Sequence, residues 1–118
     1  MPVPWSDRQR WAARLNVDTP PRRAWVLLNE LGPEGLSKSS DSDWARVSAA
    51  DLEDVARWRR AALAFDVVAE ELRCSSLGAR LILRGDPDYP DLLASIYDPP
   101  LVLYVGAGLD RTLLSNDL

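Results

Sequence analysis

The sequence predicts a mostly α protein: a small helical bundle followed by a short α/β segment with two strands. Three observations predict this. Apolar residues recur at helical spacing through the first three-fifths of the 118 residues. The pattern changes after Cys74. Two short apolar runs then stand between clusters of Gly, Pro and Asp, the punctuation of strands and turns.

Ser6 is placed to cap a first helix carrying Trp11 and Leu15, with Gln9 in position to close a capping box. Asp18 and Thr19 precede Pro20-Pro21, and proline suits a first helical turn because its missing N–H has no partner there anyway. The second helix should run through Trp25, Leu28 and Leu31 and stop at Gly32-Pro33. A polar loop, 34–42, should hold one turn around Leu36, and a short helix should carry Trp44 and Val47. The strongest periodicity follows Ser48, with Asp51 three residues on. Val55, Trp58, Ala62, Phe65, Ala69 and Leu72 form one apolar face, which predicts a single long helix over 48–73. Ser75-Ser76-Leu77-Gly78 reads as a turn and 80–84 as a strand. A helical turn is expected over 91–96, which Asp98-Pro99-Pro100 cannot continue. A second buried strand, 101–105, ends at Gly106-Ala107-Gly108.

Composition narrows the function classes. The formal charge is −4, which argues against a strong nucleic-acid footprint over the whole surface. Of the 14 basic residues only Lys38 is not Arg, so local guanidinium clusters remain available. His is absent and Cys74 is the only cysteine, which removes the usual parts of zinc sites, Cys-His or Ser-His-Asp catalysis, and internal disulfides. Cys74 reads as a small buried apolar residue. No apolar run approaches the ~18 residues of a membrane span, and the amino terminus lacks a basic start and apolar signal core. The expectation is a cytoplasmic protein without membrane attachment.

Few residues invite chemistry. Gly106-Ala107-Gly108 follows a strand, but the third glycine of a dinucleotide fingerprint would fall on Arg111, so it reads as a strand-ending turn. Asp86, Asp88, Asp91 and Asp98 lie among Pro87, Pro90, Pro99 and Pro100, a pattern of turns rather than of a metal site. Tyr89 and Tyr104 read as packed rings with surface hydroxyls. No catalytic residue, metal or cofactor is expected. Trp5, Trp11, Trp25, Trp44 and Trp58 fall at helix-face spacings and read as core, although aromatic rings also stack on single-stranded bases. Arg22-Arg23 and Arg57-Arg59-Arg60 are the compact basic sites, and Arg22 and Arg23 are the candidates for phosphate contact.

The segment GDPDYPDLLASIYDPPLVLYVG, with Gly85, Asp86, Pro87, Tyr89, Pro90, Asp98, Pro99, Pro100, Leu103 and Tyr104, resembles the line that leads into the Rossmann-like core of the DprA/Smf DNA-processing proteins. The match covers 85–108, and the order of the helices before it agrees with the small SAM-like or helix-hairpin-helix-like domain with which that family begins. The resemblance implies a division into a helical domain, 1–76, and the first strands and turns of a Rossmann-like region, 77–118. It implies a cytoplasmic, homodimeric, non-catalytic protein of natural transformation and recombination that protects single-stranded DNA and helps load RecA. In the family the phosphate-binding pocket lies in the Rossmann core, past the matched positions. The chain departs from the family in lacking glycine in the hairpin turns, at Asn16-Val17-Asp18-Thr19-Pro20-Pro21 and at Val47-Ser48-Ala49-Ala50. A role in contact with a regulatory protein partner is therefore the leading expectation for this part. A direct nucleic-acid-binding helical module, and a piece of a nucleotide-hydrolysing Rossmann enzyme, are the alternatives.

Overall fold

The computed structural model describes residues 4–106. Five helices precede a two-stranded hairpin: α1 (Asp7–Leu15), α2 (Pro21–Lys38), α3 (Asp41–Ser48), α4 (Leu52–Ala64) and α5 (Val67–Ser76). Strands β1 (Arg80–Leu83) and β2 (Val102–Val105) enclose a single helical turn, α6 (Asp91–Ala94). The mostly α class with a short α/β segment is therefore observed. Among the described residues no helix is long and apolar enough to cross a membrane.

The capping box on α1 forms as the sequence requires. Ser6 Oγ accepts from the Gln9 N–H at 3.1 Å, and the Ser6 N–H donates to Gln9 Oε1 at 2.8 Å. Ser40 and Asp43 repeat the device on α3. Proline occupies N1 of α2, and Pro20, at the N-cap, makes no side-chain bond.

Three expectations are corrected. The helix over 48–73 is two helices. Phe65 is extended (φ −68°, ψ 130°), and Asp66 caps α5 by accepting from the Ala69 N–H at 3.0 Å. Arg14 reaches across from α1 and donates to the carbonyl of Ala62 (2.9 Å), which α4 leaves without a helical partner, and to that of Phe65 (3.1 Å) just past its end. The apolar face shifts at the break. Val67 and Cys74 are buried in α5, while Ala69 and Leu72 face outward. Ser48 is no N-cap: it closes α3, with its hydroxyl donating to the Trp44 carbonyl at 2.7 Å. Finally, α2 does not end at Gly32-Pro33. Gly32 adopts φ 67° and kinks the chain, and a further turn to Lys38 inserts Leu36 into the core. A left-handed glycine followed by proline can break a helix and restart it, because proline is favourable in a new first turn.

Trp44 is fully buried at the centre, with Trp11 edge-on at 6.4 Å and Leu15, Leu27, Leu28, Leu36, Val55 and Trp58 in the same cluster. Four of the five tryptophans are buried, so the core reading holds for Trp5, Trp11, Trp44 and Trp58. The strands pair antiparallel, Arg80 with Val105 through Leu83 with Val102. Alternation along them gives the hairpin two apolar faces. Leu81, Leu83 and Val102 join the helical core, while Ile82 and Val105 pack with Tyr89 in a second cluster. The main apolar core thus runs without interruption from Trp5 to Val102.

Ala49, at the end of α3, holds φ 55°, ψ 43°, in the left-handed region. That conformation costs a non-glycine residue about 1–2 kcal/mol. It falls in the second of the two turns that lack glycine. Replacement Ala49→Gly should therefore raise the unfolding free energy by about 0.5–1 kcal/mol, net of the extra chain entropy of glycine. An unchanged or lowered urea midpoint would contradict the strain at this turn.

Candidate contact surfaces

The motif segment is built as a braced turn. The Asp86 N–H donates to the Leu83 carbonyl at 2.9 Å, closing a four-residue turn with Gly85 third at φ 96°. A positive φ at that position is what a type II turn needs. Asp86 Oδ2 then accepts from the Leu83 N–H, also at 2.9 Å. Both backbone groups of Leu83 are thereby occupied. Pro87 is second in the next turn, which the Tyr89 N–H closes on the Asp86 carbonyl at 3.0 Å. Pro90 is buried and starts α6, its carbonyl accepting from Ala94.

The Tyr89 hydroxyl differs from expectation. It is not at the surface: the residue is only 4 % exposed and its hydroxyl donates to the Pro100 carbonyl at 2.7 Å. Burial pushes its pKa up. This bond ties the first proline turn to the second, where Pro99 is buried, and delivers Leu101 to accept from the Arg84 N–H at 2.8 Å. Asp88 pairs with Arg80 at 2.9 Å, and Asp98 is exposed. Leu103 is half-buried against the second cluster. Tyr104 lies 6.4 Å from Trp5, and its hydroxyl is pushed up to about 12, first by burial and then by nearby Glu70. Asp86 and Tyr89 are committed to backbone groups. Among the described residues no three acidic or sulfur side chains could hold a metal ion.

Two surfaces remain. One is an open groove of roughly 840 Å³ between the start of α1, the outer side of α5 and β1. Trp5, Leu81 and the exposed Val68 and Leu72 give it an apolar lining. Glu71 crosses its wall, accepting from the Trp5 N–H at 3.0 Å and from Arg10 Nε at 2.9 Å. The bond from Arg10 first, and that from Trp5 next, hold the Glu71 carboxyl below the ordinary range. Alternation along β1 turns the backbone groups of Leu81 toward its outer edge, since those of Leu83 already serve Asp86 and Arg84 serves Leu101.

The second surface is the outer face of α2. Trp25 is half-buried, with the Arg84 guanidinium 4.6 Å from its ring centre and that of Arg8 at 6.0 Å. Gly85 sits so close that a Cβ there would meet the Trp25 ring at 3.2 Å, so the motif also seats this tryptophan. One turn earlier Arg22 lies 4.9 Å over Tyr97, whose ring is 83 % exposed. The pair nominated by the sequence thus divides. Arg22 faces outward, while Arg23 donates to the Ser48 carbonyl and ties α2 to α3. Arg8, Arg84 and Tyr97 were not legible as site residues: they come from three separate segments that only the fold brings to α2.

No protein-family model matches the chain, and no curated protein and no solved structure matches it either.

Two outcomes follow from this geometry. Tyr89→Phe removes the side-chain bond to the Pro100 carbonyl and should cost about 1 kcal/mol, read as a lower urea midpoint; no loss would mean the tether is idle. For Glu71 the folded-state pKa is lowered, so its stabilisation is present above the unfolded carboxylate range and fades as pH falls through the folded value. Glu71→Gln should then cost about 1 kcal/mol at neutral pH, with the gap to the wild type closing in acid. A pH-independent gap would disconnect the effect from the carboxylate.

Proposed function

We propose that this chain is the helical part of a DprA/Smf-like DNA-processing protein, with the start of its Rossmann-like region attached. Such a protein binds and protects single-stranded DNA and assists RecA loading in the cytoplasm, as a homodimer and without catalytic turnover. Within it, this part serves as an interaction module. What supports the family reading is the segment 85–106, whose motif residues each hold a definite place in the fold. Gly85 supplies the positive φ, Asp86 the brace and Tyr89 the tether, while the prolines fix the turns. Such a segment acts as a structural brace, with Asp86 and Tyr89 both spent on backbone groups.

The observation that carries the interaction role is the apolar groove beside β1. Val68 and Leu72 are 63 % and 65 % exposed on one side of α5, one turn apart, above the strand. Apolar side chains grouped in this way mark contact sites more often than isolated ones do. This apolar lining makes an apolar segment of a protein partner the fitting occupant.

The reading is tested with the purified protein on single-stranded DNA pre-coated with single-strand-binding protein, following RecA-dependent ATP hydrolysis. Addition of the protein should shorten the lag before hydrolysis, and Leu72→Glu should abolish at least half of that effect without changing affinity for DNA. A lag unaltered by the wild-type protein would refute the reading. A Leu72→Glu variant as effective as the wild type would remove the groove from it.

A further inference from the structure

We infer that the outer face of α2 is a contact track for single-stranded nucleic acid, made by Arg8, Arg22, Arg84 and Tyr97 around Trp25. The arginines of this acidic chain are mostly committed elsewhere. Arg10, Arg46, Arg57, Arg59, Arg73 and Arg80 are ion-paired with carboxylates. Arg14 and Arg23 donate to backbone carbonyls. Among the described residues, that leaves Arg8, Arg22, Arg60 and Arg84 without a carboxylate. Three of these four, from α1, α2 and the end of β1, gather at the outer face of α2, each against an aromatic ring.

The arrangement matches what single strands require. A guanidinium held against a ring keeps its N–H edges free to meet phosphate oxygens and loses little freedom on binding. Arg8 is further held by donating to Asn29 Oδ1 at 2.6 Å. Arg22 and Trp25 are three residues apart and so adjacent on the helix surface. The Tyr97 ring, 83 % exposed, offers a platform on which a base can stack. An acidic peptide would satisfy the guanidiniums but has no use for that ring, so the unpaired nucleobase is the better fit. Arg22 and Tyr97 stand at the rim of a cleft that Asp51, Asp54 and Asp98 also line. Those carboxylates repel a polyanion from the cleft itself, so the strand's path runs from this rim along α2 toward Arg84.

This track rests on the proposed single-stranded-DNA role and adds a site to it. If the wild-type protein does not bind at all both readings fall, whereas wild-type binding untouched by the variants overturns the track alone. Labelled oligo-dT is titrated into the protein by fluorescence anisotropy over a series of salt concentrations. Three phosphate contacts predict that log K falls against log salt with a slope of about −2. Arg22→Ala and Arg84→Ala should each weaken binding severalfold and flatten that slope by about 0.7. Tyr97→Ala should weaken it by about fivefold or more with the slope unchanged. Arg22 and Tyr97 are exposed, so folding is not at stake, and Arg60→Ala on α4 should behave as wild type. The track is overturned if the wild-type protein shows no binding at low salt, or if Arg22→Ala and Tyr97→Ala bind as it does. It is overturned equally if oligoglutamate displaces the label as well as unlabelled oligo-dT, which would mark a site for acidic peptides. Where a protein with DNA residues in a further region masks the loss, the same variants are compared on dT oligomers crosslinked by ultraviolet light, with the loss expected at Tyr97.

Discussion

Everything in the helical part depends on sharing one core around Trp44. The helices α1, α3, α4 and α5 are 9, 8, 13 and 10 residues long. Isolated helices of this length are marginal in water, because nucleation is unfavourable and few hydrogen bonds follow to offset it. Caps on α1, α3 and α5 help at the level of about 1 kcal/mol each, but no cap replaces burial. Trp44 touches the cluster that α1, α2 and α4 also enter, so each helix is stable only when the others are in place. The arrangement has a local cost. The Trp44 indole N–H is buried without an acceptor among the described residues, and the apolar area of the ring must outweigh that lost hydrogen bond.

The hairpin depends on the same core. A two-stranded sheet is marginal by itself, and four-residue strands make it more so. It is stabilised on one face by placing Leu81, Leu83, Leu101 and Val102 in the helical core, and on the other by Tyr89. The motif also sets the strand ends. By closing Leu83 with both its N–H and its carboxylate, Asp86 fixes where β1 ends; by bonding Pro100, Tyr89 fixes where β2 begins. The long connection between the strands would otherwise close at an entropic cost with no register defined. Two proline turns with a single tether specify the register without a tight hairpin.

How much of this was legible in the sequence varies by element for physical reasons. Local signals read correctly: the Ser6–Gln9 box, the short helix around Trp44 and the two strands depend on neighbours within a few residues. The long helix failed because the periodicity from Val55 to Leu72 is continuous in the sequence, whereas Arg14, 48 residues before Ala62, ends α4 by taking its carbonyls. Only the Asp66 cap, followed by Ala69 three residues on, signalled the break locally. The Tyr89 hydroxyl was misplaced for a related reason, since its acceptor lies 11 residues away beyond two turns. Of the candidate surfaces, Arg22 was legible as part of a basic pair. Arg8, Arg84 and Tyr97 carry no sequence signal of their own, and the division of Arg22 from Arg23 follows from the placement of Ser48 next to α2.

The two surfaces are compatible because of the geometry of α1. Arg8 and Arg10 are two residues apart, and on an α-helix such residues point to nearly opposite sides. Arg10 turns to Glu71 and the groove beside α5, while Arg8 turns to Asn29 and Trp25 on α2. A protein segment in the groove and a nucleic-acid strand along α2 would thus lie on either side of the same helix without competing for a residue. Their electrostatics separate them as well. The groove's charges are already paired through Arg10–Glu71 and Arg80–Asp88, leaving apolar area to drive association there. The α2 face is the reverse, with guanidiniums that meet no carboxylate among the described residues and whose attraction to any phosphate would weaken with salt. If both proposed contacts are made, occupancy of the two surfaces should therefore respond to different conditions, the groove to apolar burial and the α2 face to salt.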